Sequence, residues 1–389
     1  MNVKIIRQVK SPIKSISHKN SISSLEIISE NGESYEYDYL RQRSTSSLSH
    51  YINAKILQVG YLLNIQYILY SDHVLKFYES DQEVFEMPVN TLNFSNIIVF
   101  ANRYDVIVIS VSTTDPDKFD VYKINNLLSK NGDQINMERL LRLQSYTDHD
   151  VHTGNIMNFE YLNNILFVGY EDGSLIKYNM NKEFNQITEV KLLFDFKTFG
   201  DETHEDRDHP VLNVQYCENR EILYFTHAKV SELRFYDFKR SKIDKMKLPD
   251  NISVNHLVHM NEYTYFSCWE TNFIYQIDPH NCISLFYGIS IKPNIQLVDI
   301  DPVADTAEAH PYKDLDRTLS KVSSMYKVTK QDIQDHYLGL ESKVLMKRFS
   351  KLLHNDYLYI GLESGNLIEL SFSQKEKTVT CDTTQTTNN

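Results

Sequence analysis

Two short clusters hold most of the side chains that could do chemistry. Asp148-His149-Asp150-Val151-His152 sets two imidazoles and two carboxylates within five residues, the donor types a divalent metal uses. His204-Glu205-Asp206-Arg207-Asp208-His209 brackets four charged residues between two imidazoles. A structural reading outweighs the metal reading in both. His152 stands just ahead of an apolar run, where an imidazole can bond the Asp of the next tight turn, here Asp172. His18, before Ile22, and His209, before Val211, share that placement. The acidic and basic residues after His204 read as a solvated loop. No metal, catalytic or cofactor-binding residue is therefore assigned.

Other chemistry lacks its motifs. The chain contains no GxSxG elbow, HExxH helix, phosphate-binding P-loop or GxGxxG turn. Its 11 Gly leave few loops able to cradle a phosphate. Cys217, Cys268, Cys282 and Cys381 show no CxxC spacing and are too few for a disulfide scaffold, which fits a reducing compartment. Lys343, Lys347, Arg348 and Lys351 form a basic run that leads into a strand-rich ending, so it reads as a solvated edge. The paired-Arg FRRG motif of phosphoinositide-binding repeats is absent.

The elements that would position these residues are strands. With 26 Tyr and 19 Phe the composition favours β structure. One phrase recurs: an apolar strand, a turn rich in Asp, Asn or Gly, and a second strand ending in an aromatic or apolar residue. Its clearest copy runs from Asn155 to Asn179, with Glu171-Asp172-Gly173 as the turn and Tyr178-Asn179 in the place of a Trp-Asp pair. Taking Tyr37, Tyr78, Tyr122, Tyr178, Tyr236, Ile277 and Leu370 as equivalent endings gives separations of 41, 44, 56, 58, 41 and 93 residues. Repeats of about 40 residues are the signature of propeller blades.

The fold class expected is therefore all-β, a seven-bladed WD40-type β-propeller over residues 1–372, with a polar insertion before the last blade at approximately 295–343. A short helix is expected near Lys330 to Tyr337 within that insertion. Val3 to Val9 can supply the outer strand of the last blade and so close the ring. Residues 373–389, rich in Thr and without apolar periodicity, read as a disordered tail. Trp269 is the only Trp, so Tyr stands in for the usual Trp in most copies.

Charge narrows the partners. A net charge of −12 works against broad attachment to nucleic-acid phosphates or anionic lipid. The first residues, MNVKIIRQVK, alternate apolar and charged side chains and do not read as a signal peptide or membrane span. A soluble intracellular protein is expected.

One segment departs from blade periodicity. Met87 to Asn96, MPVNTLNFSN, contains Pro88, Asn90 and Asn93, all poor strand formers. It resembles the PVNxLNF phrase of the fungal ASTRA-associated WD-repeat family, and DKFDVYKI, Asp117 to Ile124, follows at the distance that family shows. SISSLEI, NGESYEYDYLRQRS, ILYSDHVLKFYE and FVGYEDGSLIKYN are similar to its first, second and fourth blades, so the resemblance covers roughly residues 18 to 180 in order and extends more loosely to Phe372. The Gly-His and Trp-Asp pairs are missing, and the long interval before the last blade is a further departure.

The resemblance implies a non-catalytic scaffold subunit of the nuclear ASTRA complex, possible also in the cytoplasm, involved in chromatin remodelling and in maturation of phosphatidylinositol-3-kinase-related kinases. It implies protein partners: Tel- and Tti-type cochaperones, a Tra-type pseudokinase and RuvB-like ATPases. No cofactor, small-molecule substrate, direct nucleic acid or membrane is expected. Pro88, Asn90, Asn93 and Phe94 are the family motif and candidate interface, whereas His152, Asp172 and Tyr178 hold structural blade positions. Two other readings stay open: an adaptor of another assembly, in ribosome biogenesis or as a ubiquitin-ligase substrate receptor, and a small propeller hydrolase using Asp148, His149, Asp150 and His209.

Overall fold

In the computed structural model the described residues are 2–9, 11–18, 24–38, 43–46, 54–91, 95–129, 134–143, 153–195, 209–248, 252–289, 321–337, 344, 347, 350, 352 and 355–372. They form seven four-stranded antiparallel sheets. Asn2–Gln8 (β1) precedes blade 1, which comprises Ile13–His18 (β2), Ser24–Ser29 (β3), Ser34–Asp38 (β4) and Arg43–Ser46 (β5). Blade 2 is Ile56–Leu62 (β6), Ile65–Tyr70 (β7), Val74–Glu79 (β8) and Gln82–Pro88 (β9). Blade 3 is Ile98–Asn102 (β10), Asp105–Val111 (β11), Phe119–Asn125 (β12) and Asn136–Arg142 (β13). Blade 4 is Ile156–Leu162 (β14), Ile165–Tyr170 (β15), Leu175–Met180 (β16) and Ile187–Phe194 (β17).

Blade 5 is Val211–Cys217 (β18), Ile222–His227 (β19), Glu232–Asp237 (β20) and Lys242–Lys247 (β21). Blade 6 is Val254–Met260 (β22), Tyr263–Cys268 (β23), Phe273–Ile277 (β24) and Ile283–Gly288 (β25). Blade 7 takes Val322–Val328 (β26), Asp356–Leu362 (β27) and Asn366–Phe372 (β28), and its fourth strand is β1. The chain's first strand thus pairs with its last described one, from Asn2 against Ser371 to Gln8 against Asn366. The closure expected of Val3 to Val9 is the one observed, and β26 in turn touches β2 of blade 1.

Each sheet is packed between two neighbours, so its second strand is buried on both faces and reads as a continuous apolar run. All six residues of β7, IQYILY, and all seven of β27, DYLYIGL, are buried. Outer strands face water on one side; β17 carries a run of four exposed residues. This is why third-strand endings were legible: the third strand is the last with a fully packed position before the chain turns outward.

All seven endings lie on third strands, with one correction of register. Tyr178 sits opposite Leu166, the second residue of its neighbour strand; Tyr37, Tyr78, Tyr236 and Ile277 occupy the same place against Leu25, Gln66, Leu223 and Thr264, and Leu370 faces Leu358, the third residue of β27. In blade 3 that place, opposite Val106, belongs to Ile124 rather than Tyr122. Tyr122 instead faces Val108, two residues closer to the turn between β11 and β12.

The stretch expected to leave the propeller is also shorter than read. Residues 295–320 lie outside the described residues, but from Val322 the chain forms β26, the innermost strand of blade 7. VSSMYKV alternates too weakly to announce a strand, because at the ring centre Ser323 and Ser324 are needed as donors rather than as apolar filler. The helix Lys330–Tyr337 (α1) follows inside the blade, between its first two strands. A capping box starts it: Thr329 and Asp332 exchange hydrogen bonds, with Thr329 N–H to Asp332 Oδ2 at 2.7 Å and Asp332 N–H to Thr329 Oγ1 at 3.1 Å. Residues 373–389 lie outside the described residues.

First strands are joined around the ring by side chains that imitate a backbone ladder. Six of them carry a register shift near their start, at Ile13/Ser15, Ile56/Gln58, Ile156/Asn158, Val211/Asn213, Val254/His256 and Val322/Ser324. Such a bulge re-aims the next side chain. Gln58 donates to Ile97 O at 3.0 Å and accepts from Ile97 N–H at 2.9 Å, while Asn96 does the same with Phe159 at 2.8 Å each way. Asn158 accepts from Val214 N–H, Asn213 donates to Val254 O, Asn255 to Val322 O, and Ser323 to Ile13 O. The relay runs from blade 2 through blade 7 to blade 1.

Close approach of blades demands glycine at Gly361, where an added Cβ would lie 2.3 Å from Ser324 Oγ and 2.6 Å from Ile13 Cγ2. Gly361→Ala is expected to cost about 1–3 kcal/mol by overpacking the joint between blades 7 and 1. A chemical denaturation midpoint unchanged from wild type would show that the joint is looser than these distances require.

Candidate functional site

Antiparallel blades put two sets of loops at opposite ends of the ring. Turns between second and third strands lie at one end, with the connectors from blade to blade; turns between first and second strands lie at the other. Among the described residues the turns between second and third strands are acidic. Glu30, Glu33, Asp72, Asp115, Asp117, Glu171, Asp172, Glu270 and Glu363 occupy these turns in six blades, against Lys118 and Lys229 as cations.

The motif Met87 to Asn96 is the connector from blade 2 to blade 3 at this end. Pro88 closes the outer strand β9 opposite Val74 and is exposed, a position that tolerates the missing N–H. Val89 is buried and its N–H donates to His73 O at 2.9 Å. Asn90 donates through Nδ2 to Ser112 O at 2.9 Å, tying the connector to the next blade's turn. Thr91 Oγ1 lies 2.7 Å from His73 Nδ1. Asn93 and Phe94 lie outside the described residues. Pro88 is the described motif residue that faces solvent, and Asn90 already has a structural task.

Among the structural positions, Asp172 closes its turn by accepting from Ser174 N–H and Ser174 Oγ–H, both at 2.9 Å, beside Gly173 with φ of 89°. His152 lies outside the described residues. Tyr178 is fully buried, with its hydroxyl 2.8 Å from that of Tyr170 and its ring edge-on to Phe119 at 5.3 Å. Tyr70 and Tyr78 repeat the pair in blade 2 at 3.2 Å. In both blades two tyrosines share a hydrogen bond at the third-strand ending.

Of the candidate chemical clusters the described residues include only His209. Asp148, His149, Asp150 and His204 to Asp208 lie outside the described residues. His209 is 3% exposed, with Nδ1 3.3 Å from Ala228 O in its own blade's hairpin. His18, expected ahead of a first strand, is instead the last residue of β2, with Nδ1 3.0 Å from Tyr326 OH. The apolar run from Ile22 that suggested otherwise leads into the second strand. Among the described residues no three His, Cys, Asp or Glu side chains could hold a metal together.

Sequence reasoning missed a buried network between blades 4 and 5. His227, fully buried, faces Arg234 through Nδ1 at 3.1 Å and Gly173 O through Nε2 at 3.1 Å. Arg234 donates only, so His227 is neutral and carries its proton on Nε2. Arg234 also pairs with Glu232 at 2.6 Å and lies 4.8 Å over the Phe194 ring. Burial first, then the Arg234 charge, pushes His227 down to about 3.

Unfolded, the imidazole titrates near 6.5, so below that pH the unfolded chain binds a proton that the native chain refuses. The stability is complete above about pH 6.5 and is lost as pH falls toward 3. At pH 5 the loss is about 2 kcal/mol for this residue. Glu160, raised by burial to about 7, acts in the opposite direction, because the native chain takes up its proton first on acidification. The expected result is a shallower loss of stability between pH 7 and pH 5 in His227→Gln than in wild type; parallel curves would contradict it.

Comparison with known proteins agrees with this architecture. The ASTRA-associated protein 1 family profile matches residues 2–371. A relative of that name from Saccharomyces cerevisiae (strain ATCC 204508 / S288c) is 24% identical over 295 residues, covering 61% of this chain and 61% of the relative, so the match spans about three fifths of that protein's length. The Candida tropicalis relative is 22% identical over 346 residues, covering 86% and 88%. Among solved structures, the β-propeller domain of Cps50 (Swd1) from Myceliophteria thermophila superposes with a TM-score of 0.57 at 9% identity, covering 96% of this chain and 100% of that one. Sqt1 of Saccharomyces cerevisiae gives 0.56 at 8% identity, covering 94% and 96%. These likenesses establish the fold, and the family match extends it to descent: the chain belongs to the ASTRA-associated protein 1 family.

Proposed function

We propose that the protein is a non-catalytic scaffold subunit of the ASTRA complex, acting in the nucleus in chromatin remodelling and in maturation of phosphatidylinositol-3-kinase-related kinases. The observation that carries this reading is the family match across residues 2–371 on a closed seven-bladed ring. Loop residues held on rigid blades suit the binding of several proteins at once. The acidic loop end works against nucleic-acid phosphates and favours protein contacts. Pro88, exposed on that end, is the described residue of the proposed contact, with Asn90 holding the connector in place; Asn93 and Phe94 of the same motif are proposed to take part.

The partners proposed are the Tel- and Tti-type cochaperones, the Tra-type pseudokinase and the RuvB-like ATPases. Purified chain mixed with the cochaperone subunits should form a complex on size exclusion, and Phe94→Ala should weaken it while leaving thermal unfolding unchanged. Absence of a complex with any of these subunits would reject the reading.

A further inference from the structure

At the end opposite the acidic loops, three blades bring cations together around one imidazole. Lys327, on β26, donates through Nζ to His259 O at 2.5 Å. The His259 ring stacks on Tyr224 with centroids 5.2 Å apart and 26° between planes. Arg220, in the turn of blade 5, donates through Nη1 to Tyr224 OH at 2.8 Å. Its remaining bonds go to Pro279 O, Asp278 O and Asn281 Oδ1, all uncharged acceptors. Among the described residues neither Arg220 nor Lys327 has a carboxylate within ion-pairing distance.

Of the carboxylates nearest in sequence and fold, three are already engaged. Glu221 pairs with Lys239 at 3.6 Å. Asp356 accepts from Asn261 Nδ2 and Lys330 N–H, and Asp278 from the N–H groups of His280 and Cys282. Glu218 and Glu262 are exposed turn residues. His259 is 8% exposed; Nδ1 meets Thr264 Oγ1 at 2.9 Å, and Nε2 is buried without a partner among the described residues. A buried ring nitrogen left unmatched, with Lys327 on the backbone carbonyl of the same residue and Arg220 on the tyrosine stacked against its ring, is a polar atom that calls for a partner.

We propose that Arg220, Lys327 and His259 form a binding site for a phosphate dianion at the mouth of the ring between blades 5, 6 and 7. Two cations match its double charge, where one carboxylate would leave a positive charge uncompensated. When Thr264 donates to Nδ1, the His259 Nε2–H becomes a third donor. The electrostatics agree: burial, then Lys327, then Arg220, push His259 down to about 3. Burial raises the adjacent Cys217 thiol, and the same two cations pull against it. The site does not depend on the scaffold reading, because it rests on these contacts alone.

The test is a titration of the full chain with sodium phosphate against sodium chloride at matched ionic strength, read by thermal unfolding and by the 15N signals of His259. Saturable stabilisation by phosphate, with a shift at Nε2, is expected. Lys327→Gln, an exposed change, should weaken the apparent affinity at least tenfold, whereas Lys242→Gln, on the outer strand of blade 5, should not. Arg220→Lys provides a second variant that keeps a positive charge but loses the fork. O-phosphoserine in a parallel arm identifies the source: tighter binding than inorganic phosphate points to a phosphorylated protein chain, equal binding to the free anion. No saturable effect of either probe, or equal affinity in wild type and Lys327→Gln, would overturn the proposal.

Discussion

Gly365→Ala is expected to destabilise the protein by about 3 kcal/mol or more, because it strikes the point where the ring closes. Gly365 has φ of 80°, in the left-handed region, and an added Cβ would lie 2.1 Å from Val9 O and 2.8 Å from Val9 C. These are backbone atoms, which cannot swing aside as a side chain can. Gly365 O also accepts from Val9 N–H at 2.8 Å, just where β1 hands the chain to blade 1. Relieving the clash therefore separates the N-terminal strand from β28 and exposes an edge that includes Leu367, Ile368 and Leu370. Gly32→Ala, at φ of 83° in the matching turn of blade 1, is the control for backbone strain. Denaturant unfolding should place Gly365→Ala well below that control; equal stabilities would mean that closure at Val9 contributes little.

Tyr178→Ala should cost about 3–5 kcal/mol, the range for removing a fully buried aromatic. The ring lies against Phe119 of the neighbouring blade, so the cavity opens at a joint between blades rather than within one. Tyr178→Phe keeps the ring but removes the hydroxyl that faces Tyr170, and about 1–2 kcal/mol is expected for that loss. The ratio of the two separates packing from hydrogen bonding. A Phe variant as unstable as the Ala variant would show that the tyrosine pair, rather than the ring, replaces the Trp; an Ala variant within 1 kcal/mol of wild type would contradict the core assignment.

The strands were legible because burial on both faces leaves a mark that needs no partner to be read. Runs such as IQYILY and DYLYIGL announce themselves. Tyr178 and Asp172 were equally legible, since a tight turn and an aromatic ending lie in one hairpin. What was hidden depends on contacts between blades. The relay through Gln58, Asn96, Asn158, Asn213 and Asn255 leaves only an Asn or Gln near the start of each strand, and its partners lie in the next blade. The same holds for β26, whose serines serve blade 1, and for Ile124, which holds the blade-ending place that Tyr122 was expected to fill. The Asn90 carboxamide illustrates the converse. A motif that stood out as a family mark proves to bond the next blade's turn, so an unusual residue in a connector can be structural as readily as functional.

Assignment to the ASTRA complex is tested by tagging the native protein at its N-terminus, purifying it at physiological salt and identifying the co-purifying proteins by mass spectrometry. The Tel- and Tti-type cochaperones, the Tra-type pseudokinase and the RuvB-like ATPases are expected together, with all of them depleted in the Gly365→Ala variant. A reproducible set of partners that contains none of them would contradict the assignment to the ASTRA complex while leaving the seven-bladed ring unchanged.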